Sequence, residues 1–397
     1  MRIDASLLDR ARQLEPLLRT IRRTLHQHPE LGFQEFKTAQ FVADTLASIG
    51  VDARTGVGGT GVLADIGSGS PTIVLRADMD ALPIQEKNDV PYASQIPGVM
   101  HACGHDAHVA SLLGAAMLLN QMEFGGRVRL MFQPSEESVD DDRKSGADRM
   151  VESGALEGVD AIVGCHVIVD EPVGTILVSS GPILAATDGF ELTVIGTASH
   201  GAYPHKGIDA IMLSAQVVNA IQSIVARRID PMEAGVITVG TILGGRKANV
   251  IADRVELTGT IRSFSPVVRR QIADGLREAC ELVRSQKGEY ILDIVQGHPA
   301  TVNDVALADV VKRVATALGL TVGPELPSPV SEDFSLYAQS VPGVYFLVGA
   351  ALDMYPPRQA HSSRFDLDER MMPVAAAMLA GTALAYLAEA RNQGVTP

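Results

Sequence analysis

Several stretches of the chain repeat hydrophobic residues at helical spacing. Leu7–Gln27 places leucine and isoleucine on one face and arginine on the other, which predicts a surface helix. The same period predicts helices over Thr38–Ile49 and Val109–Leu119. Met371–Ala388 runs for 18 residues without a charge, the length of a membrane span, but it is rich in alanine. Pro373 falls where a first helical turn tolerates proline, so we predict a buried C-terminal helix.

Short β-branched runs bounded by glycine or proline predict strands, and polar residues follow three of them. The predicted strands are Gly61–Ile66, Thr72–Arg76, Gly126–Phe132, Ala161–Cys165 and Val344–Val348. Asp78 and Asp80 come just after the second of these strands. Glu136 and Glu137 follow the third, and His166 follows the fourth. Open α/β sheets bind ligands beyond the carboxyl ends of their strands, so we expect these side chains to converge there.

The pattern changes character between residues 184 and 297. Its elements run strand, helix, strand, strand, helix, strand, which is the split βαβ order of a ferredoxin-like sandwich. They are predicted at Phe190–Thr197, Ile208–Ala226, Gly235–Leu243, Arg254–Phe264, Val267–Gln286 and Tyr290–Gln296. From Asp304 the first pattern resumes. We therefore predict an inserted domain over 184–297 and a larger domain formed by 1–183 and 298–397.

Length and charge narrow the classes of protein. A chain of 397 residues exceeds what one hydrophobic core usually organises, which agrees with two domains. The formal net charge of -14 argues against a nucleic-acid partner, because phosphate binding needs a basic surface. Cys103, Cys165 and Cys280 show no paired spacing, which fits a reducing cytosol. The N-terminal stretch is charged and amphipathic, so we expect a cytoplasmic protein with no membrane partner.

The octet His101–His108 contains three imidazoles, a thiol and a carboxylate. Buried polar groups are costly without partners, and a divalent metal ion is one partner that suits this mixture. Cys103 and His105 can reach one ion if the backbone between them is irregular, and Gly104 permits such a backbone. The spacing is not that of a zinc finger, so a satisfied polar turn before a helix is the alternative.

Short motifs occur in a set order along almost the whole chain. The motifs are His-Pro-Glu-Leu-Gly-Phe at 28–33, Arg-Ala-Asp-Met-Asp-Ala-Leu-Pro at 76–83, His-Ala-Cys-Gly-His-Asp at 101–106, Phe-Gln-Pro-Ser-Glu-Glu at 132–137, His-Gly-Ala-Tyr-Pro-His at 200–205, Asn-Val-Ile at 249–251, Glu-Asp-Phe at 332–334 and His-Ser at 361–362. Together they resemble the bacterial N-acyl-amino-acid amidohydrolases, the family of hippurate hydrolase and the plant indole-acetyl-amino-acid hydrolases, within the dinuclear aminoacylase and carboxypeptidase G group.

The resemblance implies an α/β fold, with a zinc-peptidase-like catalytic domain whose central mixed sheet is flanked by helices. It implies that residues 184–297 form a ferredoxin-like α+β domain that acts as a lid or in dimerisation. It also implies two divalent metal ions, whose ligands would be Cys103, His105, Glu137, His166 and His361. Glu136 would be the general acid/base. Asp80 would orient one of the ligands.

Three further residues are implied to meet the substrate. They are His200, Asn249 and Arg262. We expect Asn249 and Arg262 to reach one anionic group, because a guanidinium fork matches the free α-carboxylate of an amino acid. The resemblance brings His200 to the active site of a partner subunit, where it would donate a hydrogen bond to the oxyanion. A homodimer through the inserted domain is therefore expected.

The expected reaction is hydrolysis of the amide bond of an N-acyl-L-amino acid, hippurate-like or indole-acetyl-like, a small-molecule substrate. The thiolate, imidazole and carboxylate ligands suit Zn²⁺ or Mn²⁺, with Co²⁺ and Ni²⁺ as further candidates. A dipeptidase or an aminobenzoyl-glutamate-type hydrolase would use the same centre, and a metal-holding acyl-amino-acid sensor is the non-enzymatic alternative. The polar segment Ser138–Ser145, together with Cys165 and Ile168–Asp170, departs from the family pattern and leaves the acyl group open.

Overall fold

A computed structural model describes residues 5–324, 326–353 and 358–392. The helices are α1 Ala5–Gln13, α2 Glu15–Gln27, α3 Phe36–Ser48, α4 His105–Leu119, α5 Gly146–Glu152, α6 Ala210–Arg228, α7 Pro266–Ser285, α8 Val305–Ala317, α9 Phe334–Ala338 and α10 Met371–Asn392. The strands are β1 Ala53–Val57, β2 Gly61–Ser68, β3 Thr72–Asp78, β4 Gly126–Gln133, β5 Ala161–Ile168, β6 Thr175–Leu177, β7 Gly181–Leu184, β8 Ala186–Ile195, β9 Ser199–His200, β10 Gly235–Gly244, β11 Val250–Ile251, β12 Arg254–Ser263, β13 Glu289–Gln296, β14 Thr301–Asn303, β15 Thr321–Gly323 and β16 Gly343–Gly349.

Contacts between Cα atoms divide the chain into two compact units. The first unit spans Met1–Gly181, Val302–Leu326 and Asp333–Pro397. The second unit spans Pro182–Thr301 and Pro327–Glu332. The domain boundaries predicted from the sequence, 1–183 with 298–397 and 184–297, stay a prediction.

The first unit is built on a sheet with the strand order β1-β2-β4-β3-β5-β16-β6-β15. Its central strands β4, β3, β5 and β16 run parallel, whereas β2 is antiparallel to β4 and β6 is antiparallel to β16. The predicted mixed sheet is therefore confirmed. Because the central strands are parallel, the residues that follow β3 and β4 leave the sheet at one edge.

Two helices fill the core of the first unit. Every residue of α4 is buried, and α4 packs against α10. Gly114 permits this approach, because a Cβ there would lie 3.0 Å from the Cβ of Ala376. The apolar window of α10 is long enough to cross a membrane, but 83% of it is buried inside the protein. The predicted buried C-terminal helix is confirmed.

The second unit contains a four-stranded antiparallel sheet with the order β10-β12-β8-β13. Helices α6 and α7 pack together and against this sheet. The side chains of Phe190, Leu257, Ile221 and Leu276 lie in the core between the helices and the sheet. The order of elements along the chain and across the sheet is that of a ferredoxin-like sandwich, as predicted.

Some predicted elements differ from the observed ones. The helix predicted over Leu7–Gln27 is two helices, α1 and α2, because Pro16 has no N–H and its ring opposes the carbonyl one turn back. Helix α4 begins at His105 instead of Val109. Asp78 and His166 lie within β3 and β5, which extend beyond the predicted strand ends.

Candidate active site

The loop before α4 brings Cys103 and His105 to the same place. Gly104 has a left-handed φ of 93°, which breaks the regular backbone between them. The amide of His361 donates to the carbonyl of Ala102 at 2.8 Å and attaches a second loop here. His361 itself has a positive φ of 60°, so its side chain is directed by an unusual backbone conformation.

One group of donor atoms consists of Cys103, His105 and His166, whose ligand atoms lie within 4.8 Å of one another. The Sγ of Cys103 is 3.3 Å from Nε2 of His166. The Nδ1 of His166 donates to the carbonyl of Val167 at 2.8 Å, which directs Nε2 toward the cysteine. This arrangement fixes the tautomer that a metal ligand needs.

A second group consists of Cys103, Glu137 and His361, again within 4.8 Å of one another. The Oε1 of Glu137 is 2.9 Å from Nε2 of His361. Both groups contain Cys103. The five predicted ligands therefore form two adjoining donor groups that share one sulfur atom.

Two aspartates orient the histidines that face this centre. The Nδ1 of His105 donates to Asp80 at 3.1 Å, while the other Asp80 oxygen accepts from the amide of Glu137 at 3.0 Å. The Nε2 of His105 is buried and has no hydrogen-bond partner among the residues that the structure describes. An orphaned imidazole nitrogen in a buried site is what a metal ion would satisfy.

The octet divides into ligand candidates and supports. His108 accepts from the amide of Val167 at 3.1 Å through Nε2, and its Nδ1 donates to Asp78 at 2.6 Å. Both of its nitrogens are therefore engaged in hydrogen bonds, so His108 supports the site. Asp106 accepts from Arg22 at 2.8 Å. His101 is buried, and neither ring nitrogen has a hydrogen-bond partner within the described ranges.

The protonation of the donor groups also fits cations. Burial acts to raise the pKa of the Cys103 thiol, but the charge of His166 and hydrogen bonds from neighbouring imidazoles hold it well below its usual value. Burial acts to lower the pKa of His166, and the charge of Cys103 raises it to about 9. A hydrogen bond to Cys103 raises the pKa of His361 to about 10. A thiolate surrounded by imidazolium protons is a site in which metal ions can replace protons.

The residues present therefore fit two divalent metal ions. They offer two donor groups with a shared thiolate and a buried imidazole nitrogen that lacks a partner. Such a mixture of sulfur, nitrogen and carboxylate ligands suits Zn²⁺ and its neighbours.

Glu136 and Glu137 lie on an irregular loop after β4. Ser135, just before them, has a positive φ of 43°. Oxygen atoms of both glutamates lie within 4.8 Å of a ring nitrogen of His105 and of each other. On a regular strand consecutive side chains point to opposite faces, so the irregular backbone is what brings both carboxylates to the centre.

A fully buried polar network supports the strand ends from below. Arg76 donates to Asp78 at 2.5 Å, to Gln133 at 2.8 Å and to Asp333 at 3.0 Å. The hydroxyl of Tyr337 donates to Gln133 at 3.0 Å. Because every member is satisfied, the network can hold Asp78 rigidly against His108.

The predicted site residues of the second unit fall in two places. His200 lies on β9 and Asn249 immediately precedes β11, which pairs with β9 in a two-stranded antiparallel sheet; the amide of Gly201 donates to the carbonyl of Asn249 at 2.8 Å. Both side chains belong to exposed residues. Arg262 lies near the other end of β12, where its guanidinium donates to the carbonyl of Ile261 at 2.9 Å and to the hydroxyl of Thr260.

The strand register does not bring Asn249 and Arg262 of one chain together, and their contact with one anion stays a prediction. Arg254, three residues after β11, pairs with Ile195 of β8. Arg262 lies eight residues further along β12 and pairs with Thr187. At about 3.3 Å per residue the two ends of this strand lie roughly 26 Å apart. Asn249 comes five residues before Arg254, so it precedes the end of β12 that lies away from Arg262.

Sequence reasoning missed several supporting residues. Glu35 is buried and accepts from the amide of Ser135 at 2.8 Å. Arg22 is also buried and bonds Asp106. The sequence signal for such a residue is a charged side chain within or just before an apolar helix pattern. A charged side chain that is buried there needs a polar partner, which indicates a supporting network.

Comparison with known proteins agrees with this geometry. Residues 74–385 match the family described as peptidase family M20/M25/M40. The N-acetyl-L-cysteine deacetylase of Bacillus subtilis is 41% identical over 361 residues, which cover 90% of this chain and 85% of the relative. The IAA-amino acid hydrolase ILR1-like 5 of Arabidopsis thaliana is 38% identical over 383 residues, covering 94% and 87%.

A solved structure is also similar over nearly its whole length. The YXEP protein of Bacillus subtilis, described as a dinuclear metal-binding peptidase from the M20 family, has a TM-score of 0.84 and 34% identity, and the match covers 95% of this chain and 99% of that one. The chain belongs to peptidase family M20/M25/M40. It is a hydrolase with the fold of a dinuclear metal-binding peptidase, and the resemblance stated from its motifs is confirmed.

Proposed function

We propose that the protein hydrolyses the amide bond of N-acyl-L-amino acids and releases a carboxylic acid and a free amino acid. The observation that carries this proposal is the pair of donor groups sharing Cys103, with the carboxylate of Glu136 beside them. The deacetylase and IAA-amino acid hydrolase names of the two relatives support a substrate of this class. Hippurate-like and indole-acetyl-like conjugates are the first candidates.

In this proposal each site residue has one task. When bound, two divalent ions supply Lewis acidity and make a water molecule more acidic near neutral pH. Glu136 accepts the proton of the attacking water and returns it to the departing nitrogen. The ligands Cys103, His105, Glu137, His166 and His361 hold Zn²⁺ or Mn²⁺, and Co²⁺ or Ni²⁺ fit the same donor atoms. Asp80 keeps His105 in the tautomer that leaves Nε2 free for a metal.

Recognition of the amino-acid half is proposed to need two copies of the chain. Asn249 precedes one end of β12 and Arg262 lies near the other end, so we propose that two copies of the chain supply the two contacts to one α-carboxylate. His200 lies on β9, which pairs with β11 beside Asn249, so His200 would then enter the same active site and donate to the oxyanion. A homodimer supplies this arrangement twice.

The surface of the second unit can support such a dimer. Strand β10 is an outer strand of its sheet, and its residues Val236, Ile242 and Leu243 are exposed. Ile211 and Met212 of α6 are exposed as well. An unpaired edge with apolar side chains is a surface that a second copy can cover. We therefore place the dimer contact on β10 and α6.

The test is a panel of conjugates assayed with several divalent ions. N-acetyl, N-benzoyl and indole-acetyl amino acids are expected to release the free amino acid, and the corresponding methyl amides, which lack the α-carboxylate, are expected to be far poorer substrates. Faster cleavage of dipeptides or of aminobenzoyl-glutamate would redirect the acyl assignment. Binding without any product in a single-turnover assay with hippurate would indicate a sensor.

We propose a cytoplasmic location because the cysteines are free. Cys103, Cys165 and Cys280 are all buried and free. Free thiols of this kind persist in a reducing compartment. Fractionation of the source cells tests this directly.

A further inference from the structure

Glu35 is a buried carboxylate next to the loop that carries Glu136 and Glu137. It is the residue immediately before α3, and none of its surface is exposed. One carboxylate oxygen accepts from the amide of Ser135 at 2.8 Å. The other accepts from the hydroxyl of Thr60. The carboxylate therefore joins α3 and the start of β2 to the residue that precedes Glu136.

The backbone that Glu35 holds is an unusual one. Ser135 has a φ of 43°, a conformation that a residue with a side chain adopts only when its surroundings enforce it. The carbonyl of Ser135 accepts from the amide of Gly146 at 2.8 Å, and its hydroxyl donates to the carbonyl of Ser138 at 3.0 Å. A Cβ at Gly146 would overlap the carbonyl oxygen of Pro134. The loop is thus packed and hydrogen-bonded from several sides.

Glu35 and Asp80 act on alternate amides of this loop. Glu35 accepts from the amide of Ser135, and Asp80 accepts from the amide of Glu137 at 3.0 Å. The residue between these two fixed amides is Glu136. The segment of Glu35 is itself attached beside Asp80, because the amide of Ala81 donates to the carbonyl of Glu30 at 2.8 Å.

We propose that Glu35 is a positioning residue, which fixes the Ser135 amide and, together with Asp80, sets the direction of the Glu136 carboxylate. The Glu35 carboxylate bonds the Ser135 amide and the Thr60 hydroxyl, so it acts on the reaction through the backbone of the loop. Small displacements of a reacting group lower rates by large factors, which gives such a support functional weight.

The chemistry of the position agrees with this role. Burial raises the pKa of Glu35 to about 7, so a carboxyl group here is costly to ionise. An apolar side chain would fill the space without that cost, but it would leave the Ser135 amide buried and unpaired. What the carboxylate supplies is therefore an acceptor for that amide.

The experiment compares three variants of the full-length protein. Glu35→Ala removes the acceptor, and Glu35→Gln keeps an oxygen that can accept from the Ser135 amide. The matched control is Glu30→Ala, because Glu30 is a carboxylate of the same segment that accepts from the amide of Thr38 at 2.9 Å and does not contact the loop. The readouts are hydrogen exchange of peptides covering residues 133–138, metal content per chain, and kcat and KM.

Glu35→Ala is expected to exchange in this loop about tenfold faster, since one buried hydrogen bond is lost. Its kcat should fall roughly 10–100-fold with two metals still bound and KM little changed. Glu35→Gln should keep kcat and exchange within about threefold of the wild type, and Glu30→Ala should do the same in this loop.

Two results would overturn the proposal. One is a folded, metal-loaded Glu35→Ala protein with unchanged loop exchange and kcat. The other is a Glu35→Gln variant as impaired as Glu35→Ala. The kinetic part rests on the proposed amide hydrolysis, whereas the exchange part does not, so failure of the substrate assignment leaves the exchange result to decide whether Glu35 holds the loop.

Discussion

The two units differ in how far their predicted site residues are buried. In the first unit His105 is 1% exposed and Cys103 is 9% exposed, and a carboxylate orients His105 while a backbone carbonyl orients His166, although the candidate ligand His361 is exposed. In the second unit His200 and Asn249 are exposed, at the small sheet formed by β9 and β11. Chemistry at a metal centre needs fixed geometry, whereas a residue that completes a site in another molecule must be accessible. The difference separates a prepared reaction centre from a contributing surface.

The two units also differ in net charge. The first unit carries 21 Lys and Arg against 34 Asp and Glu, while the second unit carries 12 against 13. Almost all of the net negative charge therefore belongs to the first unit. Part of it is buried at the centre, where Asp78 and Asp80 face imidazoles. Buried negative charge beside the donor groups favours divalent cations over empty sites.

The largest expected effect is on the first unit alone. Removing divalent ions with a chelator should abolish amide hydrolysis, because Nε2 of His105 and the shared thiolate of Cys103 are the proposed metal ligands. Adding Zn²⁺ or Mn²⁺ back should restore activity. The far-ultraviolet circular dichroism should change little, since the core of this unit is extensive without the ions. Full activity at a verified metal content of zero would contradict the assignment.

The next effect concerns Glu136. Glu136→Gln should lower kcat by about 10²–10⁴-fold, because the amide has the same shape but cannot accept a proton. Metal content and KM should stay close to those of the wild type. Glu137→Gln is the matched comparison, since the neighbouring residue is a proposed ligand and its variant should lose metal. If Glu136→Gln loses metal and Glu137→Gln does not, the two roles are reversed.

Much of this centre could be predicted from the sequence, because local patterns determine it. Strand β3, which ends at Asp78, and strand β4, which ends shortly before Glu136, are apolar runs with clear ends. The two strands pair in parallel, which brings those ends together. Gly104 between two ligand types indicated an irregular backbone, and its φ of 93° confirms that interpretation. The sequence order of the second unit likewise predicted its sheet.

What could not be predicted depends on distances across the fold. Asn249 and Arg262 are thirteen positions apart in sequence, yet β12 separates them, because Asn249 precedes its first residue and Arg262 is next to its last. The partner of Glu35 is an amide 100 residues away, and no local pattern encodes that contact. The break between α1 and α2 was visible in Pro16 but was outweighed by the continuous apolar period.

A third prediction tests whether His200 acts in the active site of a partner subunit. Neither His200→Ala nor Glu136→Gln should be active alone. When the two inactive proteins exchange subunits, random pairing makes half of the dimers mixed, and one of the two sites in each mixed dimer contains both intact residues. About a quarter of wild-type activity should therefore return.

Two controls give this result its meaning. Exchange must be verified with two distinguishable tags, so that absence of recovery cannot come from absence of mixed dimers. Mixing Glu136→Gln with Glu137→Gln should give no recovery, because both substitutions lie in the same centre of the first unit. Verified exchange without recovery for the His200 pair would show that His200 acts in its own chain or not at all.

The smallest expected effect is on stability and returns to the enclosed carboxylate of the first unit. Burial raises the pKa of Glu35 from 4.5 to about 7, so between these values the folded protein keeps a proton that the unfolded chain has released. The contribution of this group to the free energy of unfolding therefore falls as pH rises from about 4.5 to about 7 and then stays constant. Glu35→Gln has no such titration. Relative to the wild type it should gain on the order of 1–3 kcal/mol between pH 4.5 and pH 8. Denaturant unfolding of both metal-free proteins at a series of pH values measures that difference. A difference that does not change with pH would mean that Glu35 titrates in the folded protein as it does in the unfolded chain, and the enclosed character claimed for this carboxylate would be wrong.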